Sequence, residues 1–321
     1  MILLKENQDD IFLFFCIYNK EVISIKNIIE YFYKISVLEL HYKANMYFFR
    51  YGTDWYLFIP AQRTEAELLE IHQLIKNNQL YDQVIQNIDN HYLTQTKRGY
   101  YILVRKSANA TNFNLESSII QSRLSLIFVN NYQNINRTNW VEMWSKKIDY
   151  IEYQLLHIES KYPIISKSIN YYIGMTEASI SYLNNNFSWT DELNIRGVIS
   201  HKRVVSNNFN NAMNIVVDHF ARDVSEYLKY IFINNEYNYS DIDAFLRRCD
   251  LTEDDVKLIY ARLMYPSYYF DLYDKIVNGN EEEKKILTLI SRSVEYEIFV
   301  KNIYTMLFKV DSSIFSIGWI N

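Results

Sequence analysis

The residues able to do chemistry are concentrated between Ile199 and Lys229, where the chain reads I-S-H-K-R-V-V-S-N-N-F-N-N-A-M-N-I-V-V-D-H-F-A-R-D-V-S-E-Y-L-K. The short apolar run Val198-Ile199 predicts a strand that delivers His201 and Arg203 into a loop rich in asparagine and serine, Asn208 among them. Asp218-His219 follows. Asp223 then opens a helix, with Glu226 three residues on, the spacing of an N-cap and its N3 partner. A strand, a polar loop and an acid-capped helix are what phosphoryl transfer needs at its centre, to place a base against the attacking hydroxyl and carboxylates against magnesium. Yet no Asp or Glu lies between His201 and Asp218, so the stretch is short of acids for that task. Each residue also has a plainer reading: His201 as a hydrogen-bonded scaffold residue, Asp218-His219 as a turn, Asp223 as a helix cap.

The elements around this stretch fall into two groups. Up to about residue 106 the pattern is strand-rich. Met46–Phe49 and Trp55–Ile59 are aromatic β-prone runs, and Arg50-Tyr51-Gly52-Thr53-Asp54 between them has hairpin chemistry. Thr64-Glu65-Ala66-Glu67 is a capping box opening a helix whose Leu68, Ile71 and Ile75 recur at helical spacing. Another strand, Tyr100–Val104, follows the Lys97-Arg98-Gly99 turn. A nucleotide-binding lobe would add a glycine-rich turn and a lysine on the next strand to neutralise phosphates. Gly52 stands alone, Trp55–Ile59 holds no lysine, and Lys43 reads as a solvated strand-edge residue.

From Leu115 the period changes to 3.6. Leu115, Ile119, Leu124, Ile127 and Phe128 mark one amphipathic segment; Trp140, Trp144, Ile148, Ile151, Leu155 and Ile158 mark a longer one that Pro163 closes. Ser166–Leu183 predicts the next helix, and Ser240 a cap for a short one through Arg248. Thr252 caps another, with Val256, Ile259, Tyr260, Leu263 and Met264 inward. Glu281-Glu282-Glu283 suits the positive end of the last long helix. The composition shift at Ser107–Asn114 places the boundary, giving a β-rich lobe over 1–106 and a helical lobe over 107–321.

Composition sets the outer bounds. A chain of 321 residues, 49% hydrophobic and 22% charged, is globular. A net charge of −5 gives no basic field for nucleic acid or anionic lipid. Two cysteines, Cys16 and Cys249, make neither a disulfide framework nor a metal site and fit a reducing compartment. Met1–Glu6 is soon charged and reads as no signal peptide. The apolar run Ile11–Tyr18 falls short of the roughly 20 residues of a membrane span. The expectation is a soluble intracellular protein. Only 6 glycines disfavour glycine-rich phosphate loops.

Several local patterns agree on a resemblance. Tyr171–Leu183 resembles the G-x-x-E-N-A-I-Q-Y stretch of the spore-coat kinase-like proteins, the YutH branch in particular. Val217–Leu228 resembles their D-H-P-S-R-D-L-A-E-W segment, and Leu258–Phe270 their L-L-Y-A-R-L-L-F-P-x-H-Y-F signature. Trp144–Asp149 matches a W-x-K-R-I-D element, and the order is collinear. The resemblance implies an α+β, bilobal protein-kinase-like fold of the aminoglycoside and choline phosphotransferase type: a small β-rich lobe, a larger helical one, and a cleft between them.

Active members of that superfamily carry H-G-D-x-x-x-x-N, in which the Asp accepts the substrate proton and the Asn helps hold magnesium. Here His201 and Asn208 fall in register, but Arg203 takes the base position. A guanidinium with a pKa above about 12 cannot accept a proton and repels a metal. The second acid is expected where the sequence gives Asn210-Asn211-Ala212-Met213. Asp218 matches the family's later D-H pair, and Asp223 the helix-start Asp that props up the catalytic loop in kinase-like folds. The degenerate positions are therefore His201, Arg203, Asn208, Asp218 and Asp223, with Arg203 expected to pair with Asp218 or Asp223 in place of metal charge. The implied function is a non-catalytic, pseudokinase-like spore coat protein acting in coat assembly through protein contacts. It would bind no cofactor or metal, meet other coat proteins, and sit in the mother-cell cytoplasm and then the coat. The alternatives are a small-molecule kinase with displaced residues, Asp218 as metal ligand, and a ligand-binding module using the interlobe cleft.

Overall fold

The computed structural model describes residues 25–108, 114–158, 160–187, 196–206 and 208–316. The run Ile11–Tyr18, Cys16 and part of the Ser107–Asn114 boundary lie outside them. The described residues form two compact units: residues 25–108 with Asn210–Asn214, and the remainder.

In the first unit a helix over residues 25–33 (α1) precedes the antiparallel strands β1 (His41–Lys43), β2 (Met46–Tyr51) and β3 (Asp54–Pro60). After helix α2 (Glu65–Ile75) come β4 (Gln83–Ile85), β5 (Thr94–Thr96) and β6 (Gly99–Arg105). The sheet order is β1-β2-β3-β6-β4, with β5 also on β6. The β2–β3 hairpin pairs Tyr51 with Asp54 across Gly52-Thr53, and Gly52 sits at φ +60°, where a side chain would be strained. Alternation buries Tyr47, Phe49, Tyr56 and Phe58 against Ile25 and Ile29 of α1. The capping box at α2 forms as the sequence predicts: Thr64 Oγ1 accepts from Glu67 N (3.2 Å) and Glu67 Oε2 from Thr64 N (3.0 Å). Lys43 is exposed on the edge strand.

The second unit is helical around a small antiparallel sheet of β7 (Ile127–Phe128), β8 (Arg196–His201) and β9 (Ile215–Asp218). Helix α3 spans only Leu115–Ser122. Leu124 is 83% exposed and Ile127-Phe128 is extended, so the expected continuous amphipathic segment is a helix followed by a strand, because pairing with Gly197 and Arg196 outbids local periodicity. The long helices α4 (Trp140–Ile158) and α5 (Pro163–Asn186) follow. Pro163 opens α5 at its first turn, where a missing N–H costs nothing. The acid at that end comes from far along the chain: Glu283 Oε1 accepts from Ile164 N (2.8 Å) and Ile165 N (3.0 Å). It thus serves α5 and not the last long helix, as its position in the sequence had suggested.

Helices α6 (Ala221–Ile233), α7 (Tyr239–Arg248), α8 (Glu253–Met264), α9 (Ser267–Val277), α10 (Leu287–Ile290) and α11 (Ser293–Val310) complete the unit. Asn238, not Ser240, caps α7, its side chain accepting from Ser240 N. Thr252 caps α8 reciprocally with Asp255, as expected. Ile148, Ile151, Ile165, Ile169 and Ile173 pack with Tyr269, Phe270 and Tyr273 of α9 into one core. Gly197 lets β8 lie close to β9: a Cβ there would meet Val217 Cγ1 at 2.9 Å and the Asp218 carbonyl oxygen at 3.1 Å. That contact fixes the two strands that present His201 and Asp218.

Candidate functional site

His201 ends β8 and Asp223 lies in the first turn of α6, both with fully buried side chains. Asp223 Oδ1 accepts from His201 N (2.8 Å) and Oδ2 meets His201 Nδ1 (2.6 Å). One carboxylate therefore clamps both the backbone and the imidazole, and Phe209 stacks on the ring at 3.8 Å. The expected N-cap role is corrected: α6 begins at Ala221 after Phe220, which puts Asp223 inside the helix with its oxygens turned to the loop. Its two oxygens join the start of α6 to the end of β8.

Asp218 is also fully buried. Trp140 Nε1 donates to both its oxygens (2.9 and 3.1 Å), His219 N to Oδ1 (2.7 Å) and Arg222 Nη1 to Oδ2 (2.5 Å). Arg222 also donates to the carbonyls of His201 (2.6 Å) and Lys202 (3.2 Å), tying the loop to the helix. His219 Nε2 lies 3.0 Å from Thr138 O, so that nitrogen carries the proton; burial pushes the imidazole pKa down. Asn208 closes a turn by donating its N–H to Val205 O (3.0 Å).

Arg203 is paired, but with neither expected acid. Its Nε and Nη2 donate to Asp271 Oδ2 and Oδ1, each at 2.6 Å, a bidentate fork on α9. Nη1 donates to Lys202 O (2.6 Å) and stands 3.6 Å from Glu226 Oε2. Asp218 is paired with Arg222 and Asp223 with His201 instead. Burial pushes the Arg203 guanidinium pKa down, but Glu226 and Asp271 outweigh it, so the net direction is up and the charge is permanent.

Glu226 is the hub that sequence reasoning missed. Arg262 donates to its Oε1 from Nε (3.2 Å) and Nη2 (3.0 Å), and Ser267 Oγ lies at 3.3 Å. Lys229 Nζ stands 3.6 Å away and donates to Tyr265 O (2.8 Å) and Ser267 Oγ (3.1 Å). Burial alone would raise the Glu226 carboxyl pKa, but Arg203, Lys229 and Arg262 together hold it far below the carboxylate range. Three cations share one carboxylate, and lysine is the one that yields. Burial, with the nearby guanidinia, pushes Lys229 down to about 7 despite Glu226. The signal was available in the sequence: Arg222, Glu226 and Lys229 are charged residues spaced four and three apart along α6, and all are buried.

A pH dependence follows. With the folded pKa of Lys229 below its unfolded value, the unfolded state holds more protons between the two, so stability rises with pH there. Urea denaturation should show stability increasing from about pH 7 to about pH 9, below the range of tyrosine ionisation. Lys229→Met should flatten that rise. An unchanged slope in the variant would remove Lys229 as its source.

The arrangement ties the loop after β8 to α6 and α9. Both oxygens of Asp218 already accept from fixed donors, one of them cationic. A divalent ion there would displace Arg222 or stand against it, so the centre does not fit magnesium. Among the described residues no helix is long and apolar enough to cross a membrane.

Comparison with known proteins agrees with the fold. Spectinomycin phosphotransferase APH(9)-Ia, solved with ADP and spectinomycin, superposes with a TM-score of 0.53 at 12% identity, covering 89% of this chain and 97% of that one. An aminoglycoside phosphotransferase from Alicyclobacillus acidocaldarius gives 0.51 at 11% identity (85% and 93%). Choline kinase LicA from Streptococcus pneumoniae gives 0.50 at 12% identity (88% and 98%). These likenesses establish an aminoglycoside phosphotransferase-like, choline kinase-like fold. The endospore coat-associated protein YutH of Bacillus subtilis (strain 168) is 24% identical over 163 residues, 45% of this chain; the chain spans about half of that relative's length (48%). The family model described as "Spore coat putative kinase YutH" matches residues 26–303, and the chain belongs to that spore coat family.

Proposed function

We propose that this chain is a non-catalytic member of its family that acts in the spore coat through protein contacts, with the kinase-like fold kept as a scaffold. The observation that carries this reading is Arg203. A permanently charged group, forked onto Asp271, stands where the resemblance puts the catalytic base. His201, Asn208, Asp218 and Asp223 are then the remains of a catalytic centre, with Asp223 now clamping His201 and Arg222 holding Asp218. The saturated carboxylate of Asp218 speaks against the alternative of a kinase with displaced residues. In this reading the protein is made in the mother cell, joins the coat, and needs neither nucleotide nor metal.

Calorimetry with magnesium and ATP at millimolar concentration should give no saturable heat, and phosphate transfer to aminoglycosides or choline should stay at background. A micromolar dissociation constant would overturn the proposal. Arg203→Asp should lose stability, since it places a third acid beside Glu226 and Asp271. It should gain no magnesium-dependent nucleotide binding; a gain without loss of stability would mean an almost intact kinase centre.

A further inference from the structure

The small sheet of the helical unit, in the order β7-β8-β9, has one covered edge and one open edge. At β9, Val217 turns both backbone groups away from β8, donating to Ile135 O (3.0 Å) and accepting from Arg137 N (2.8 Å). Pairing groups alternate along an antiparallel strand, so Val198 bonds Asp218 while Gly197, one residue back, bonds Ile127 of β7. On β7 the same alternation turns Leu126 and Phe128 to the outer edge, and Leu126 has no backbone hydrogen bond among the described residues. The side chains there are apolar and bare: Leu124 is 83% exposed, Leu126 68% and Phe128 58%. From Leu124 to Phe128 the chain has neither a charged residue nor a proline, two of the devices that keep an edge strand from pairing.

We propose that this edge is a self-association site, which takes β7 of a second copy of the chain as an antiparallel strand. The edge is its own complement. Pairing about a two-fold at Ile127 sets Leu126 opposite Phe128 of the partner subunit, where the two outward-facing residues exchange N–H···O bonds. Opposite residues share a face, so Leu126 packs on the partner subunit's Phe128 and the reverse, and such cross-strand pairs are what stabilise a sheet. Arg196 already lies over the ring of Phe128 in its own chain at 5.7 Å, and the strand itself carries no charge to be repelled. The contact is short, so the dimer belongs to the weak class, with a dissociation constant of roughly 10–100 μM. A chain acting through protein contacts becomes bivalent in this way, and the site stands whether or not the centre is catalytic.

Sedimentation equilibrium of the full chain, from about 1 to about 300 μM, should show a reversible monomer–dimer equilibrium. Leu126→Lys and Phe128→Glu, both at exposed positions, should each weaken it about tenfold or more. Mixing the two variants should recover dimer. The two-fold then sets the new ammonium of one chain against the new carboxylate of the other and leaves the opposite Leu126–Phe128 contact intact. Leu156→Asp, at a 79% exposed position on α4, should leave the equilibrium unchanged. A chain that stays monomeric throughout, a dimer that survives both edge variants, a mixture no more associated than its components, or loss of dimer in Leu156→Asp would each overturn the proposal.

Discussion

Glu226→Gln lowers the stability of the protein by about 3–5 kcal/mol, the cost of leaving buried charge without its partner. The carboxylate is fully buried, and Arg262 and Lys229 beside it are each 3% exposed at the side chain. The amide keeps the shape and one acceptor but removes the charge that three cations share. Arg203 retains Asp271, and Arg262 retains the face of Trp140 at 4.9 Å, so the loss falls mainly on Lys229 and on the desolvated Arg262. Adding Lys229→Met should recover part of the loss, because the double variant no longer buries that excess cation. Thermal and urea denaturation of the two single variants and the double one form the cycle. Strict additivity would mean that the two groups do not share one electrostatic environment.

Asp223→Ser separates two roles that the sequence runs together. Serine is as good a helix N-cap as aspartate, so a residue that only capped α6 would tolerate it within a few tenths of a kcal/mol. As the clamp on His201, Asp223 supplies acceptors to a backbone N–H and an imidazole nitrogen, both buried. Serine is too short and too poor in acceptors to serve both, and the loss should be about 2–3 kcal/mol. Because His201 and Arg222 hold the loop that carries Arg203, tryptic cleavage after Lys202 or Arg203 should also accelerate. A variant as stable and as protease-resistant as the parent would return Asp223 to the cap.

Local patterning decided much of this protein. Alternating aromatics placed β2 and β3, the Thr64 and Thr252 boxes placed two helix starts, and the α4 stripe placed its buried face at Trp140, Trp144, Ile148 and Ile151. These signals work because they rest on hydrogen bonds and periodicities within a few residues. The motifs in Val217–Leu228 and Leu258–Phe270 carried the family for the same reason: they are contiguous. The absence of a carboxylate between His201 and Asp218 was equally plain.

Only the tertiary structure decided which charge meets which. Arg203 reaches Asp271, sixty-eight residues on, and Glu283 crosses to the start of α5, over a hundred residues away. Asp218 is held by Trp140, read from sequence as one more core residue of its stripe. Sequence proximity favoured pairing Arg203 with Asp218 or Asp223, but a salt bridge depends on separation in space. The helices that brought Asp271 and Arg262 to α6 were positioned by apolar packing, which carries no label for the charges it buries. The composition of the centre was written in the chain, and its wiring was set by the fold.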